Sequence, residues 1–215
     1  MNGRLAVKAR LFSGLTIAVI LAIAARIASL NAPYTERKPC FAPMGHSLRC
    51  DWATPLNTTL DQNELSIRAT SFRIISQREE RSLAGSYVDP VLESGGAAES
   101  KLAIVEIAIA NIGDRALDVP VTTLHLQSGA WSNGVDNTLF HLLNNTADTV
   151  FKIDRGTQSR VLLPFHLYDT QFNNMRAWQM AGERSFELIV TLMPGKAAIQ
   201  LDSPGLNSPG SQKGA

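Results

Sequence analysis

Lys101 to Asp114, KLAIVEIAIANIGD, is the most strand-like stretch of the chain and decides its class. Val105, Ile107 and Ile109 fall on one face of an extended segment. Leu102, Ile104, Ala108 and Ala110 fall on the other, with Glu106 as the lone charge. A strand with so little polar relief on either side belongs in the middle of a sheet, covered on both faces. The β-branched residues and the abrupt Asn111-Ile112-Gly113-Asp114 punctuation argue against a helix, and Asn and Gly there predict a tight reversal with positive φ.

Other segments carry the same signature. Leu65, Ile67 and Ala69 alternate with polar residues, then the phase slips so that Phe72 and Ile74 continue on the same side. This predicts a strand with a bulge near Thr70-Ser71. Leu117, Val119 and Val121 alternate next to Pro120, and Leu124 and Leu126 point inward with His125 and Gln127 outward. Val161, Leu163, Phe165 and Leu167 share a face opposite Arg160, His166 and Tyr168. Phe186 to Leu192 and Ala197 to Leu201 read as the arms of a hairpin around Met193-Pro-Gly-Lys196. The charged cluster Gln77–Arg81 closes a strand. Residues 82–100 and 128–149 read as long polar connections, and 170–183 as a short helix or an ordered loop. Six to eight strands without a strong amphipathic helix among them predict an all-β chain, an antiparallel β-sandwich of immunoglobulin-like size over residues 60–202.

Upstream, Arg4, Lys8 and Arg10 precede the uncharged run Leu11 to Ala25, LFSGLTIAVILAIAA. Fifteen helical residues rise about 22 Å, short of a hydrocarbon core of about 30 Å. Extension to Leu30 reaches the required length, with Arg26 near enough to the end to snorkel. We therefore expect one N-terminal transmembrane helix, a signal anchor over 11–30, with residues 1–10 cytoplasmic by the positive-inside rule. The competing reading is a signal peptide cleaved after Ala22-Ile23-Ala24. Both place the domain outside the cytoplasm, the first on the cell membrane as a single-pass protein with the bilayer as a partner.

Residues 31–59 read as a Pro-rich linker holding Cys40 and Cys50, the chain's two cysteines. In an oxidising compartment they would close the small loop between them as a disulfide. A metal site of Cys40, His46 and Cys50 is the weaker alternative, for want of a fourth ligand. The tail 203–215, rich in Gly, Ser and Pro, reads as disordered.

Of 215 residues, 45% are hydrophobic, enough for a core, and the formal net charge is +1. Residues 1–30 hold four basic groups and no acid, leaving 16 basic and 19 acidic groups in the remaining 185. A faintly acidic domain lacks the electrostatic footprint of a nucleic-acid binder.

No nucleophile elbow, phosphate loop, dinucleotide fingerprint or zinc-protease motif occurs, and the sequence implies no cofactor, no catalytic residue and no metal ligand set. His125 and His166 on adjacent strands, with Asp169 or Glu106, would imitate an acid–base or metal cluster, but surface histidines on an exposed sheet face are much the plainer reading. Asp114 and Asp118 lack the run of oxygen ligands that calcium needs. Tyr87, Trp131 and Trp178 lie in connections and are the candidate partner-binding positions, with loop pins packed on the core as the plainer reading. Asn57-Thr-Thr59 and Asn144-Asn-Thr146 match the glycosylation acceptor pattern and read as exposed polar loops.

The order of signals resembles the bacterial extracellular immunoglobulin-like domains of unknown function that follow a lipoprotein signal or a membrane anchor. The likeness rests on the strand Glu64 to Ile75, a long polar loop, and the strand ending in Asn111-x-Gly113-Asp114. It continues with Leu124-x-Leu126, the strand from Asp154 to Leu167, and the closing hairpin. Arg155-Gly156 stands where the family has Pro-Gly, and a lipidated cysteine is missing. The resemblance implies an anchored or secreted β-sandwich and carries over no catalytic residue. The function expected is non-enzymatic: a membrane-anchored extracytoplasmic binding module, an accessory or scaffolding subunit of a cell-envelope protein complex. The alternative is a secreted sandwich that binds a small molecule or glycan through its loops.

Overall fold

The computed structural model describes residues 17, 19–29, 38–50, 64–85, 87–192 and 195–202. Its compact units are residues 1–37 and 38–215. In the first, 17 and 19–29 are helical, and Ile17, Val19, Ile20, Leu21, Ile23 and Ile27 are all at least half exposed. No helix of the described residues is long and apolar enough to cross a membrane. The ends expected for the span, Leu11 and Leu30, lie outside the described residues, as do the segment 1–10, the acceptor Asn57 and the tail 203–215.

The described residues of the second unit form ten strands: β1 Cys40–Pro43, β2 Leu65–Ser76, β3 Ser100–Asn111, β4 Leu117–Pro120, β5 His125–Ser128, β6 Trp131–Gly134, β7 Val150–Ile153, β8 Gln158–Tyr168, β9 Phe186–Thr191 and β10 Ala197–Leu201. Four short helices interrupt them: α1 Gln77–Ala84, α2 Pro90–Glu93, α3 Asn137–Asn144 and α4 Met175–Gln179. One sheet has the order β1-β10-β9-β5-β6, a second β2-β3-β8, and β4 pairs with β7. One continuous core joins the two larger sheets, with Phe72 of β2 and Phe186 of β9 in ring contact at 5.3 Å. The result is a β-sandwich-like fold. Most pairing is antiparallel, but β1 runs parallel to β10. In an immunoglobulin domain the second and third strands lie in opposite sheets, whereas here β2 and β3 are direct neighbours.

β3 is central, paired with β2 and with β8. Ala103, Val105, Ile107 and Ile109 enter the core between the sheets. Leu102 and Ile104 pack on the other side with Leu139 of α3 and with Ala84 at the end of α1. The expected bulge is the register shift between Ala69 and Ser71. The turn after β3 is made differently from the expectation. Among the described non-glycine residues only Asn145 has positive φ, and Gly113 is not among the positive-φ glycines. Instead the buried Asn111 side chain donates to the carbonyls of Arg115 and Ile153 and accepts from the Gly113 amide. This is an Asx-type turn, which needs no left-handed residue.

Three stretches expected to be irregular are ordered. Gln77–Ala84 is helical because Ser76 and Glu79 form a reciprocal capping box. Asn137–Asn144 starts on the Asp136 side chain and ends at Asn145 in the left-handed conformation (φ 48°). Cys40–Pro43, expected in the linker, is a strand.

The edges of the three-stranded sheet are sealed. On the β8 side, the Asn144 side chain donates to Leu162 O and accepts from Leu162 N, standing in for a neighbouring strand. Two positions on, Pro164 has no amide to satisfy, and its carbonyl accepts from Asp136 N; Asn133 Nδ2 donates to His166 O. On the β2 side, Gly45 N and Leu48 N donate to Ala69 O and Ile67 O. That same loop is closed by the Cys40–Cys50 disulfide. Since β1 pairs with β10, the disulfide loop joins both sheets along one seam. Sealing matters because an open edge recruits foreign strands.

Two outcomes follow. Replacing both cysteines with alanine should lower the unfolding free energy by about 3 kcal/mol, the loop-closure entropy of a ring this small, read by urea denaturation. Asn144→Ala should cost roughly 1–3 kcal/mol, since both of its bonds to the Leu162 backbone are lost. An unchanged midpoint in either variant would contradict the edge-sealing role assigned to these residues.

Candidate functional site

Along β8 the residues facing away from the sandwich core include Leu162, Pro164, His166 and Tyr168. Rather than reaching water, this face is covered by α1, α2 and α3, and His166 is only 3% exposed. A buried imidazole needs partners for both ring nitrogens. Nε2 lies 2.9 Å from Glu80 Oε1 of α1 and 3.5 Å from Asp89 Oδ2 before α2. Nδ1 lies 3.2 Å from Asp136 Oδ2 before α3.

Both aspartates serve twice. Asp89 Oδ1 caps α2 by accepting from Val91 N, and Asp136 Oδ1 caps α3 by accepting from Leu139 N. Two phenols complete the cage. Tyr87 Oη donates to Asp136 Oδ2 at 3.0 Å, and Tyr168 Oη donates to Asp89 Oδ1 at 3.1 Å. Both rings lie nearly parallel to the imidazole, with centroids 6.0 and 5.5 Å away.

Burial by itself would drive the His166 imidazole toward neutrality. The hydrogen bonds to Asp136 and Glu80, with the charges of Glu80 and Asp89, outweigh it and raise the group to about 9. Burial also works to raise the Asp136 carboxyl, but hydrogen bonds from His166 and Leu139 prevail and hold it below its ordinary value. The phenols of Tyr87 and Tyr168 are pushed up, first by burial and then by Asp136 and Asp89 respectively. At neutral pH the centre is an imidazolium facing three carboxyl groups.

Two carboxylate oxygens are left over. Glu80 Oε2 and Asp89 Oδ2 are buried and make no hydrogen bond, although Asp89 Oδ2 keeps its 3.5 Å ionic contact with Nε2. Burying such an atom unpaired costs about 1–3 kcal/mol. Both residues also line a cavity of about 470 Å³, together with Gln77, Arg81, Tyr87 and Leu92. Among the described residues no group of three or more His, Cys, Asp and Glu side chains is arranged to hold a metal ion.

The residues singled out from sequence are dispersed. Cys40 and Cys50 are joined, so they supply no thiolates for a metal site with His46. Trp131 is on β6 rather than in a loop; its indole donates to Gln171 Oε1 and its ring meets Phe186 edge-on. Trp178, 2% exposed, donates to Glu99 Oε2 and lies under the Lys101 ammonium at 4.3 Å. Tyr87 belongs to the cage. His125 is exposed on β5 in the five-stranded sheet, whereas His166 is buried on the three-stranded one, so no histidine pair forms on an exposed sheet face. Asp169 caps a turn by accepting from Ala98 N and Thr170 N, and Glu106 pairs with Arg160. Glu80, Asp89, Asp136 and Tyr168 were not singled out from sequence. Ser76-x-x-Glu79 and Asp89-Pro90 are helix-start signals that would have found the first two elements.

The folded value of His166, about 9, is above its unfolded value near 6.5. The stability it contributes is therefore fully present below pH 6.5 and is lost as pH rises through 9, an effect on the order of 3 kcal/mol. Above pH 10 the raised phenols add a further loss in the same direction. Thermal melts should show the midpoint falling between pH 6.5 and 9, and His166→Gln should flatten that limb. A flat wild-type profile would refute the imidazolium.

Comparison with curated proteins gives no match. Among solved structures, a Bacillus subtilis protein described as a lipoprotein is 13% identical, with a TM-score of 0.38, over 70% of this chain and 39% of that one. The present chain thus spans about two-fifths of its length. A functionally unknown protein from Listeria monocytogenes is 15% identical, TM-score 0.38, over 67% and 78% of the two chains. An uncharacterised β-sandwich protein from Clostridium difficile is 10% identical, TM-score 0.39, over 78% and 97%. A family model, described as a domain of unknown function (DUF5028), matches residues 44–197. That interval covers most of the chain and runs from the disulfide loop to β10, so the chain belongs to the DUF5028 family.

Proposed function

We propose that this protein is a non-enzymatic binding module, held at the cell membrane by its N-terminal segment and exposed on the extracytoplasmic side as an accessory subunit of an envelope protein complex. The observation that carries the non-enzymatic part is the state of His166. Both ring nitrogens face carboxylates, and its raised value keeps the ring protonated at neutral pH. A ring so engaged has no lone pair to accept a proton, which a general base or the partner of a nucleophile requires. The Cys40–Cys50 disulfide supports an oxidising compartment. The exposed apolar residues of the N-terminal helix support contact with lipid.

A second reading, a secreted module that binds a small ligand, is favoured by the cavity beside Glu80 and Asp89. The two readings part at the N-terminus. Mass spectrometry of the intact mature chain should find residues 1–24 retained in the anchored protein and removed in the secreted one. Purification of the full chain from native membranes in mild detergent should bring down membrane proteins in fixed ratio. A chain that always runs alone as a monomer would overturn the accessory role.

A further inference from the structure

We propose that the cavity between α1 and α2 binds a small organic cation with N–H donors, a primary ammonium on a short apolar body, whose acceptors are Glu80 and Asp89. Glu80 and Asp89 are 3% and 6% exposed and both line the cavity; Glu80 Oε2 makes no hydrogen bond, and Asp89 Oδ2 has only its 3.5 Å ionic contact with His166. Cage geometry alone would have been satisfied by one fewer carboxylate, because a single imidazolium has only two N–H groups. An ammonium brings three donors and offsets the excess of negative groups.

Three further features fit that chemistry. Ala84 and Gly85, at the C-terminal end of α1, line the cavity, where helix carbonyls carry partial negative charge. Tyr87 offers an aromatic ring to a cation, and Val88 and Leu92 offer apolar surface to its body. The volume of about 470 Å³ lies in the range of small-molecule sites. Arg81 also lines the cavity, so removing its like charge would favour a cationic ligand.

This inference stands apart from the membrane-complex reading, since a ligand can bind whether or not the chain has a protein partner. The test is saturation-transfer difference NMR on the full chain in mild detergent, with benzylamine, Nα-acetyl-lysine methylamide and uncharged benzyl alcohol as probes. We expect saturable binding of an ammonium probe, weakened at least tenfold by Glu80→Gln and by Asp89→Asn, and equal or tighter binding in Arg81→Ala. Val88→Trp, at a 62% exposed position of the cavity lining, should weaken it by crowding the cavity while leaving the buried cage intact even if the carboxylate variants fail to fold. Preference for benzylamine assigns the site to a free amine, and preference for the lysine amide assigns it to a partner's lysine; both support the proposal. Absence of saturable binding by either ammonium probe, equal binding of benzyl alcohol, or unchanged binding in Val88→Trp overturns it.

Discussion

The structure turns on a charge that the sandwich cannot leave unmatched. A cationic ring stands on β8 in a layer otherwise built from Leu102, Ile104, Leu139 and their neighbours. Buried charge of this kind is tolerated only when opposite charge and hydrogen bonds are brought to it. Glu80 and Asp89 come from the connection between β2 and β3, and Asp136 from that between β6 and β7. Docking them on one imidazole places α1, α2 and α3 over the outer face of β3 and β8. The helical layer and the ionic centre are thus one construction, since the aspartates that hold the ring also start two of the helices.

That arrangement bears on chemistry as well as on architecture. A histidine with one free nitrogen and a nearby hydroxyl invites a catalytic reading. Here both nitrogens are occupied, and the phenols of Tyr87 and Tyr168 donate toward the carboxylates instead of toward an open site. Glu80 and Asp89 also line the cavity, and Glu80 Oε2 makes no hydrogen bond.

Local patterning made the strands legible and left the cage hidden. β3 was readable as a doubly covered central strand because both of its faces are apolar, and the Ala69–Ser71 irregularity because the alternation slips there. The disulfide followed from cysteine count and compartment. His166 looked solvent-facing because alternation along β8 puts it opposite Leu163, Phe165 and Leu167. Nothing within that strand says that helices from residues 77–93 and 137–144 will cover it. Those helices are only one to two turns long, too short for a 3.6-residue period to stand out, and their evidence lay in the caps Ser76, Asp89 and Asp136 instead. Cys40–Pro43 was hidden for another reason. Its proline suggested a linker, but a four-residue edge strand ending in proline is compatible with one-sided pairing.

The disulfide seam decides where mechanical load would go. Cys40 is the first residue of β1 and one half of the disulfide. Tension arriving along the chain would be shared at once between the parallel ladder with β10 and, through sulfur, the 45–48 segment bonded to β2. Neither sheet would have to peel alone. A pull applied at Cys40 would therefore be borne by both layers together.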